Sequence, residues 1–318
     1  MHIKKYIQFF GILSTVFLTT SCNEEMTKEG IDNAHIRTVK ADIGVFSIDG
    51  RNAALPEEGQ INELQACLFE NGILTEIYTE FGQENNQYVL QTDQQSGHLY
   101  MLANTADRIN LQEMKNRSIS EEEWLKVTLS NTEGNIHAAD FFSGMLDLSQ
   151  NTGSMTLKRG TARFDLSIRT LKSVQVEQVV LKNMTKQSYL FQQNPVSAPE
   201  NETVQDIATD FPQALETSTE GIAYVYEQSG TDLKVCIKMK VEGQSRTVEA
   251  NLPAILKRNT VYTLNIGTDP VTTDITLSVI EWEDGGDHTL ASEAGSLKVD
   301  TKLPTYLEPL QLQQTRTV

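Results

Sequence analysis

The residue best placed for covalent chemistry is Cys22. Lys4 and Lys5 open the chain, an almost wholly apolar run (YIQFFGILSTVFL, residues 6–18) follows, and Thr19-Thr20-Ser21 leads into the cysteine. That is the layout of a secretory signal, and the apolar run is too short to remain in a bilayer as a spanning helix. A cysteine at the cleavage point is where a bacterial lipoprotein is acylated and acquires its new N-terminus. The match is loose, because the customary leucine lies three residues ahead of the cysteine and Leu18 lies four ahead. The alternative is an ordinary signal peptide with a chance cysteine.

Other chemistry is thinly supplied. His2 falls in the signal, and His35, His98, His137 and His288 are scattered, without metal-ligand spacing or a nucleophile motif beside them. Neither common phosphate-binding glycine loop is present. Carboxylates are abundant, and counting alone neither marks nor removes an acid–base pair. Glu121-Glu122-Glu123 reads as a solvated first helical turn favoured by the helix dipole. Asp284-Gly285-Gly286-Asp287 lacks calcium-loop spacing and reads as a turn. Cys67 and Cys236 each sit in an apolar run (LQACLFE and LKVCIKM), the setting of buried, unpaired thiols. A disulfide between them is allowed in an oxidising compartment but is not dictated. The sequence therefore names no catalytic, cofactor-binding or metal residue, and an enzyme is not the expectation.

Removing residues 1–21 leaves about 295 residues, enough for two domains of ordinary size. The formal charge is −17, and it becomes more negative once the signal, with Lys4 and Lys5, is gone. No basic patch could neutralise a phosphate backbone, so nucleic acid is not an expected partner. No second long apolar run follows Cys22, which predicts a globular exported protein held at a membrane by lipid.

The elements that would position any site are strands. Runs rich in Val, Ile, Thr and aromatics recur at 39–48, 62–70, 75–78, 88–91, 98–103, 154–157 and 162–168. They continue at 174–183, 222–227, 233–241, 244–252, 261–266 and 275–282. Helical periodicity is scarce. Ser120 and Glu123 form a capping-box pattern ahead of Trp124-Leu125, predicting a short helix over 118–126, and 107–116 offers another. Glu242-Gly243 predicts a hairpin turn. Residues 192–219, rich in Pro, Asn, Ser, Thr and Glu, read as a long loop with a brief helix at 204–208. From residue 285 onward the chain reads as an extended tail. Many short strands and few helices predict an all-β protein built of sandwiches.

Several of these segments, in order, resemble the FimA/Mfa-like fimbrillins, lipoprotein precursors of type V pili in Bacteroidetes. They are ADIGVFSIDGR (41–51) with Asn52-Ala53-Ala54, INELQACLFENGILTEIY (61–78) and HLYMLANT (98–105). Phe142-Ser143-Gly144-Met145 precedes LKRGTARFDL (157–166), and Tyr224-Val225-Tyr226-Glu227, LKRNTVYTL (256–264) and Val279-Ile280-Glu281-Trp282 complete the set. The acidic Asn23-Glu24-Glu25 after Cys22 is similar to surface-export signals of Bacteroidetes lipoproteins. The resemblance implies two tandem transthyretin-like β-sandwich domains with a few short helices. The corresponding division is a signal peptide 1–21, a linker 22–38, a first sandwich 39–170, a second 171–284 and a tail 285–318, with the divide near 169–172. Taken alone, 157–166 is simply a strand with core residues Leu157, Ala162, Phe164 and Leu166 and solvated arginines. Tyr224, Tyr262 and Trp282 are likewise core aromatics or the edge of a core, not a sugar-binding platform.

In that family an arginine-specific protease cuts after the first strand and releases strand and lipid anchor together. The resemblance puts the cut after Arg51, with Asn52 as the new N-terminus. Arg51 follows the predicted strand and Asp49-Gly50, and it precedes a polar stretch, 52–60, of the exposed kind that proteases reach. Arg37 competes but precedes the strand, and Arg51 also reads as an ordinary turn arginine. Loss of the strand would leave backbone groups unpaired and an apolar groove open, which a donor strand from another subunit would fill. The C-terminal end is the natural source of a donor, but Pro304 and Pro309 interrupt the tail's apolar residues, and the tail reads equally as the beginning of a further domain or as a disordered end. The implied partners are other pilin subunits, the protease, and the outer membrane through lipid on Cys22 before processing; the implied location is the cell surface and its fimbriae. Two other readings stand beside this one. One is a membrane-retained pilus anchor that keeps Cys22. The other is a surface carbohydrate-binding lipoprotein, which would want exposed aromatics where the chain has only Trp124 and Trp282 as tryptophans.

Overall fold

The computed structural model describes residues 36–48, 51–52, 54–131, 137–200, 203–269, 275–282 and 289–290. Cys22, the signal and nearly all of the 285–318 tail lie outside them. In chain order, β1 (Arg37–Ile43) is followed by a two-rung hairpin, β2 (Ser47–Ile48) and β3 (Arg51–Asn52). Next come β4 (Leu64–Glu70), β5 (Ile73–Tyr78), β6 (Gly82–Glu84), β7 (Gln87–Thr92) and β8 (His98–Ala103). Helices α1 (Leu111–Asn116) and α2 (Glu121–Trp124) precede β9 (Thr128–Ser130), β10 (Phe142–Asp147) and β11 (Ser154–Arg159). Then follow β12 (Thr161–Ile168), β13 (Val174–Thr185), β14 (Gln187–Tyr189), β15 (Val204–Leu215), β16 (Thr219–Tyr226) and β17 (Gln228–Ser229). The last are β18 (Lys234–Val241), β19 (Gln244–Asn251), β20 (Ile255–Leu256), β21 (Val261–Thr268), β22 (Ile275–Trp282) and β23 (Thr289–Leu290).

The all-β expectation holds. Eight strands of the first half pair in the order β5-β4-β8-β10-β11-β1-β7-β6. This run folds over on itself, so that Val39 and Ala41 of β1 and Leu90 of β7 share one core with Ala66 and Leu68 of β4 and Leu99 and Met101 of β8. The other face of β4 and β8 packs Cys67, Phe69, Tyr100 and Leu102 against Trp124 of α2. With both faces covered, these two strands read in sequence as continuous apolar runs. The second half is a sandwich of β16-β12-β21-β22-β23 on β15-β13-β18-β19. Its core includes Phe164 and Tyr262, stacked with centroids 5.3 Å apart.

The expected divide near 169–172 lies beyond the end of β12, whereas the sheets themselves change at Gly160. β11 ends at Arg159 in the first sheet, and β12 begins at Thr161 in the second, antiparallel to β16 and parallel to β21. A glycine is needed there because a Cβ would stand 2.0 Å from the Phe141 ring.

The short helices form where the capping signals lie. Ser120 accepts from Glu123 N while its own N–H donates to the Glu123 carboxylate at 3.0 Å, and Asn110 caps α1. Glu242 and Gly243, with φ of 50° and 80°, make the predicted β18–β19 turn. One element departs from expectation. The loop with a brief helix expected within 192–219 contains the twelve-residue strand β15, paired to β13. It is an edge strand, so its outer side can be polar, and a register shift between Val176 and Gln178 on β13 lies opposite Pro212.

Candidate functional site

β1 occupies an interior position. It pairs parallel with β11 (Lys40 opposite Ser154, Ile43 opposite Leu157) and antiparallel with β7 (Arg37 opposite Thr92, Ala41 opposite Tyr88). Alternation sends Val39 and Ala41, both fully buried, into the first core, with Ile43 partly buried behind them. Beyond the paired stretch, Gly44 N donates to Leu157 O at 2.7 Å, and the chain leads Phe46 into complete burial. Taking β1 and Phe46 away would expose about 5–8 kcal/mol worth of apolar contact and leave two strands unpaired along facing edges.

The candidate cut lies just downstream. Arg51 and Asn52 form β3, whose backbone pairs with Ile48 and Ser47 of β2. Arg37, the competing position, is engaged elsewhere. Its guanidinium donates to the carbonyls of Leu148, Gln150 (2.5 Å) and Thr152 (2.7 Å).

The downstream end of the β1 path meets a buried ion cluster at the junction of the two sandwiches. Arg163 of β12 makes a two-pronged contact with Asp165, Nε to Oδ1 and Nη2 to Oδ2, both at 2.9 Å. Its Nη1 donates to Glu58 Oε2 at 2.9 Å. Glu58 also accepts from Tyr224 Oη at 2.7 Å and from Leu55 N at 2.6 Å, and Asp165 accepts from Gly221 N at 2.8 Å. Arg159, at the end of β11, donates to Glu58 O and pairs with Asp140. Phe46 lies beneath both guanidiniums, 4.8 Å from that of Arg159 and 5.2 Å from that of Arg163. Burial pulls the Arg159 guanidinium down to about 10. Burial acts the same way on Arg163, but the bonds to Asp165 and the charge of Glu58 outweigh it and hold that group up. Burial and the Glu58 bond push the Tyr224 hydroxyl up.

A second buried pair ties the same junction. Arg258 donates to Glu227 at 3.1 Å and to the carbonyls of Leu190 and Tyr189 at 3.0 and 2.9 Å. Burial holds the Arg258 guanidinium below its ordinary value.

Several sequence expectations change here. The arginines of 157–166 are not solvated: Arg159, at the end of β11, and Arg163, in a β12 buried along both faces, are fully buried, and their charges are met by Glu58, Asp140 and Asp165. The stretch 52–60 is not simply an exposed polar loop, since Glu58 is 5% exposed. Glu58 went unrecognised in sequence; the available signal was two arginines set among apolar strand residues, which require buried acids as partners. Trp124 is fully buried among Phe69, Tyr100 and Phe191, so it offers no sugar platform. Tyr262 is a core aromatic as expected, and Tyr224 is half-buried on Glu58. Cys67 and Cys236 are both unpaired, with Cys67 buried and Cys236 only half-buried.

The chain is thus a tandem β-sandwich protein whose leading strand is inserted between two later ones. No family profile matches the sequence, and no curated protein matches it. Solved structures do share the architecture. One is a candidate cell adhesion protein from Bacteroides eggerthii, with a TM-score of 0.50 and 17% identity over 78% of this chain and 95% of that one. Another is the tip fimbrial protein Mfa3 from Porphyromonas gingivalis, C-terminally truncated, with a TM-score of 0.50 and 13% identity over 77% of this chain and all of that one. At such identities the likeness is one of fold.

Proposed function

We propose that this chain is a structural subunit of a cell-surface fimbria, related to the FimA/Mfa-like fimbrillins and exported with lipid on Cys22. An arginine-specific protease hydrolyses the Arg51–Asn52 bond, and β1 departs with the anchor. Another subunit then supplies a replacement strand. The observation that carries this reading is the position of β1, flanked by β11 and β7 with the candidate bond immediately downstream. A strand so placed leaves a slot with hydrogen-bonding edges on both sides and an apolar floor, which is what strand addition requires. Glu58 lies on the retained side of the bond, so the junction cluster survives the cut.

The test is the N-terminus of the protein isolated from its own cell envelope, read by mass spectrometry. A start at Asn52 is expected. A start only at acylated Cys22 overturns the acceptor role and leaves a membrane-retained anchor.

A further inference from the structure

We propose that the second sandwich carries a binding site for a neutral mono- or disaccharide, floored by Ser167 of β12 and Asn265 of β21. The inference does not depend on processing at Arg51.

Ala162, Phe164 and Leu166 of β12 enter the second core, which turns Arg163, Asp165 and Ser167 to the outer face of the sheet. Such a face is ordinarily wet, yet all three residues are buried. Arg163 and Asp165 are closed over by the segment 55–58, with Glu58 on Arg163 and Leu55 close against Gly221. Ser167 lies past that cover. It is only 7% exposed, and its hydroxyl has no hydrogen-bond partner among the described residues. What encloses it is the wall of a cavity of about 570 Å³, a size that suits a small ligand.

A bulge and a parallel neighbour build that wall. β12 pairs Phe164 with Ala223 and then Leu166 with Thr219, so that Glu220, Gly221 and Ile222 stand opposite Asp165 alone. Gly221, with φ of 66°, turns its N–H onto Asp165 Oδ1 at 2.8 Å, and the surplus chain carries the exposed Glu220 to the rim. On the other side, β21 sets Asn265 opposite Ser167 and Thr263 opposite Asp165. The Asn265 amide nitrogen is likewise without a partner. β22 places Ile280 beside Thr263 as an apolar wall, and the exposed Arg169, just past β12, closes the end.

Charge and hydrogen bonding select the ligand. The Asp165 carboxylate is already answered by Arg163, and Glu220 and Arg169 oppose each other at the rim. An anion would meet two carboxylates, and a cation would meet two guanidiniums. A wholly apolar molecule would strip water from Ser167 and Asp165 and return no hydrogen bond. A sugar ring meets each demand. Its hydroxyls both donate and accept, so neighbouring ones can give to Asp165 and Glu220 and accept from Ser167 and Arg169. Its C–H face can then lie on Ile280.

The test is an NMR titration of an isotopically labelled chain beginning at Asn23 with glucose, galactose, mannose, fucose, N-acetylglucosamine and lactose. At least one should saturate in the millimolar range, moving the amide signals of Ser167, Thr219 and Asn265 and leaving those of β4 and β8 in place. Ser167→Ala should weaken that binding about tenfold, and Ser167→Leu, which fills the cavity, should abolish it. Should either misfold, Arg169→Ala with Glu220→Ala, both exposed positions, reads the same site and should weaken binding by a similar factor. Binding that these variants leave unchanged overturns the site. Saturation by inorganic phosphate but by none of the sugars overturns the neutral class, and saturation by none of these probes overturns the proposal as a whole.

Discussion

Glu58 and Arg163 stand 2.9 Å apart and almost wholly buried, the first from the segment behind β3 and the second from the strand that opens the second sandwich. Removing one partner of a buried pair leaves a charge without its counterion, typically at a cost of about 3–5 kcal/mol. Asp165 keeps its two bonds to Arg163, so Glu58→Ala should fall near the lower end, at about 3 kcal/mol. Urea unfolding followed by circular dichroism checks this. A midpoint equal to wild type would mean that the cluster does not stabilise the junction. Arg163→Lys should also destabilise, because an ammonium cannot reproduce the two-pronged contact with Asp165.

Gly160→Ala should be among the most damaging single changes outside the cores. The added methyl would overlap the Phe141 ring, and Phe141 is fixed by its own burial. Overpacking of this kind costs about 1–3 kcal/mol and sometimes more. The readout is a lower denaturation midpoint, relieved in the double variant with Phe141→Leu. No relief would place the strain elsewhere.

These two sites show where the sequence was readable and where it was not. Alternation within β1, β18 and β21 marked these strands because successive residues fall on a buried and a less buried face, whereas β8 showed as a continuous apolar run because both its faces are covered. The capping box at Ser120 and Glu123 placed α2 because its chemistry is local. β15 escaped notice because an edge strand buries little; Ile207 is the residue it sends fully into the core, amid Asp206, Asp210 and Pro212. Glu58 escaped because its partners are 105 positions away for Arg163 and 166 for Tyr224. Neither separation leaves a trace in local composition. The change of sheet at Gly160 was hidden for a related reason, since an apolar run looks alike whichever sheet each half joins.

Glu242 adopts φ of 50° at the first turn position between β18 and β19, a conformation that glutamate tolerates poorly and asparagine well. Glu242→Asn should therefore stabilise the protein, by about 0.5–1 kcal/mol. A raised melting temperature checks this, and an unchanged or lowered one counts against the strain.

The two remaining thiols should react at different rates. Burial pushes the Cys67 thiol far up, and it has no exposed surface, whereas Cys236 is partly accessible. In a chain beginning at Asn23, iodoacetamide at pH 8 should label Cys236 first and reach Cys67 only on unfolding. Peptide mapping distinguishes the two, and rapid labelling of Cys67 would contradict its burial.

The α2 cap should make one region acid-sensitive. Hydrogen bonds from the Ser120 side chain and backbone hold the exposed Glu123 carboxyl below its ordinary value of 4.5. A carboxyl lowered in the folded state contributes stability that is present above its unfolded value and lost as pH falls through its folded one. The loss therefore begins under about pH 4.5. Because α2 delivers Trp124 into contact with Phe69, Tyr100 and Phe191, fraying of the helix should alter near-ultraviolet circular dichroism. Ser120→Ala should weaken the cap by about 1 kcal/mol at neutral pH. Glu123→Gln keeps an acceptor for the Ser120 N–H but cannot titrate, so it should flatten the acid-dependent part of the signal. If the glutamine variant retains the full pH dependence, the sensitivity belongs to other carboxylates and the cap is not its source.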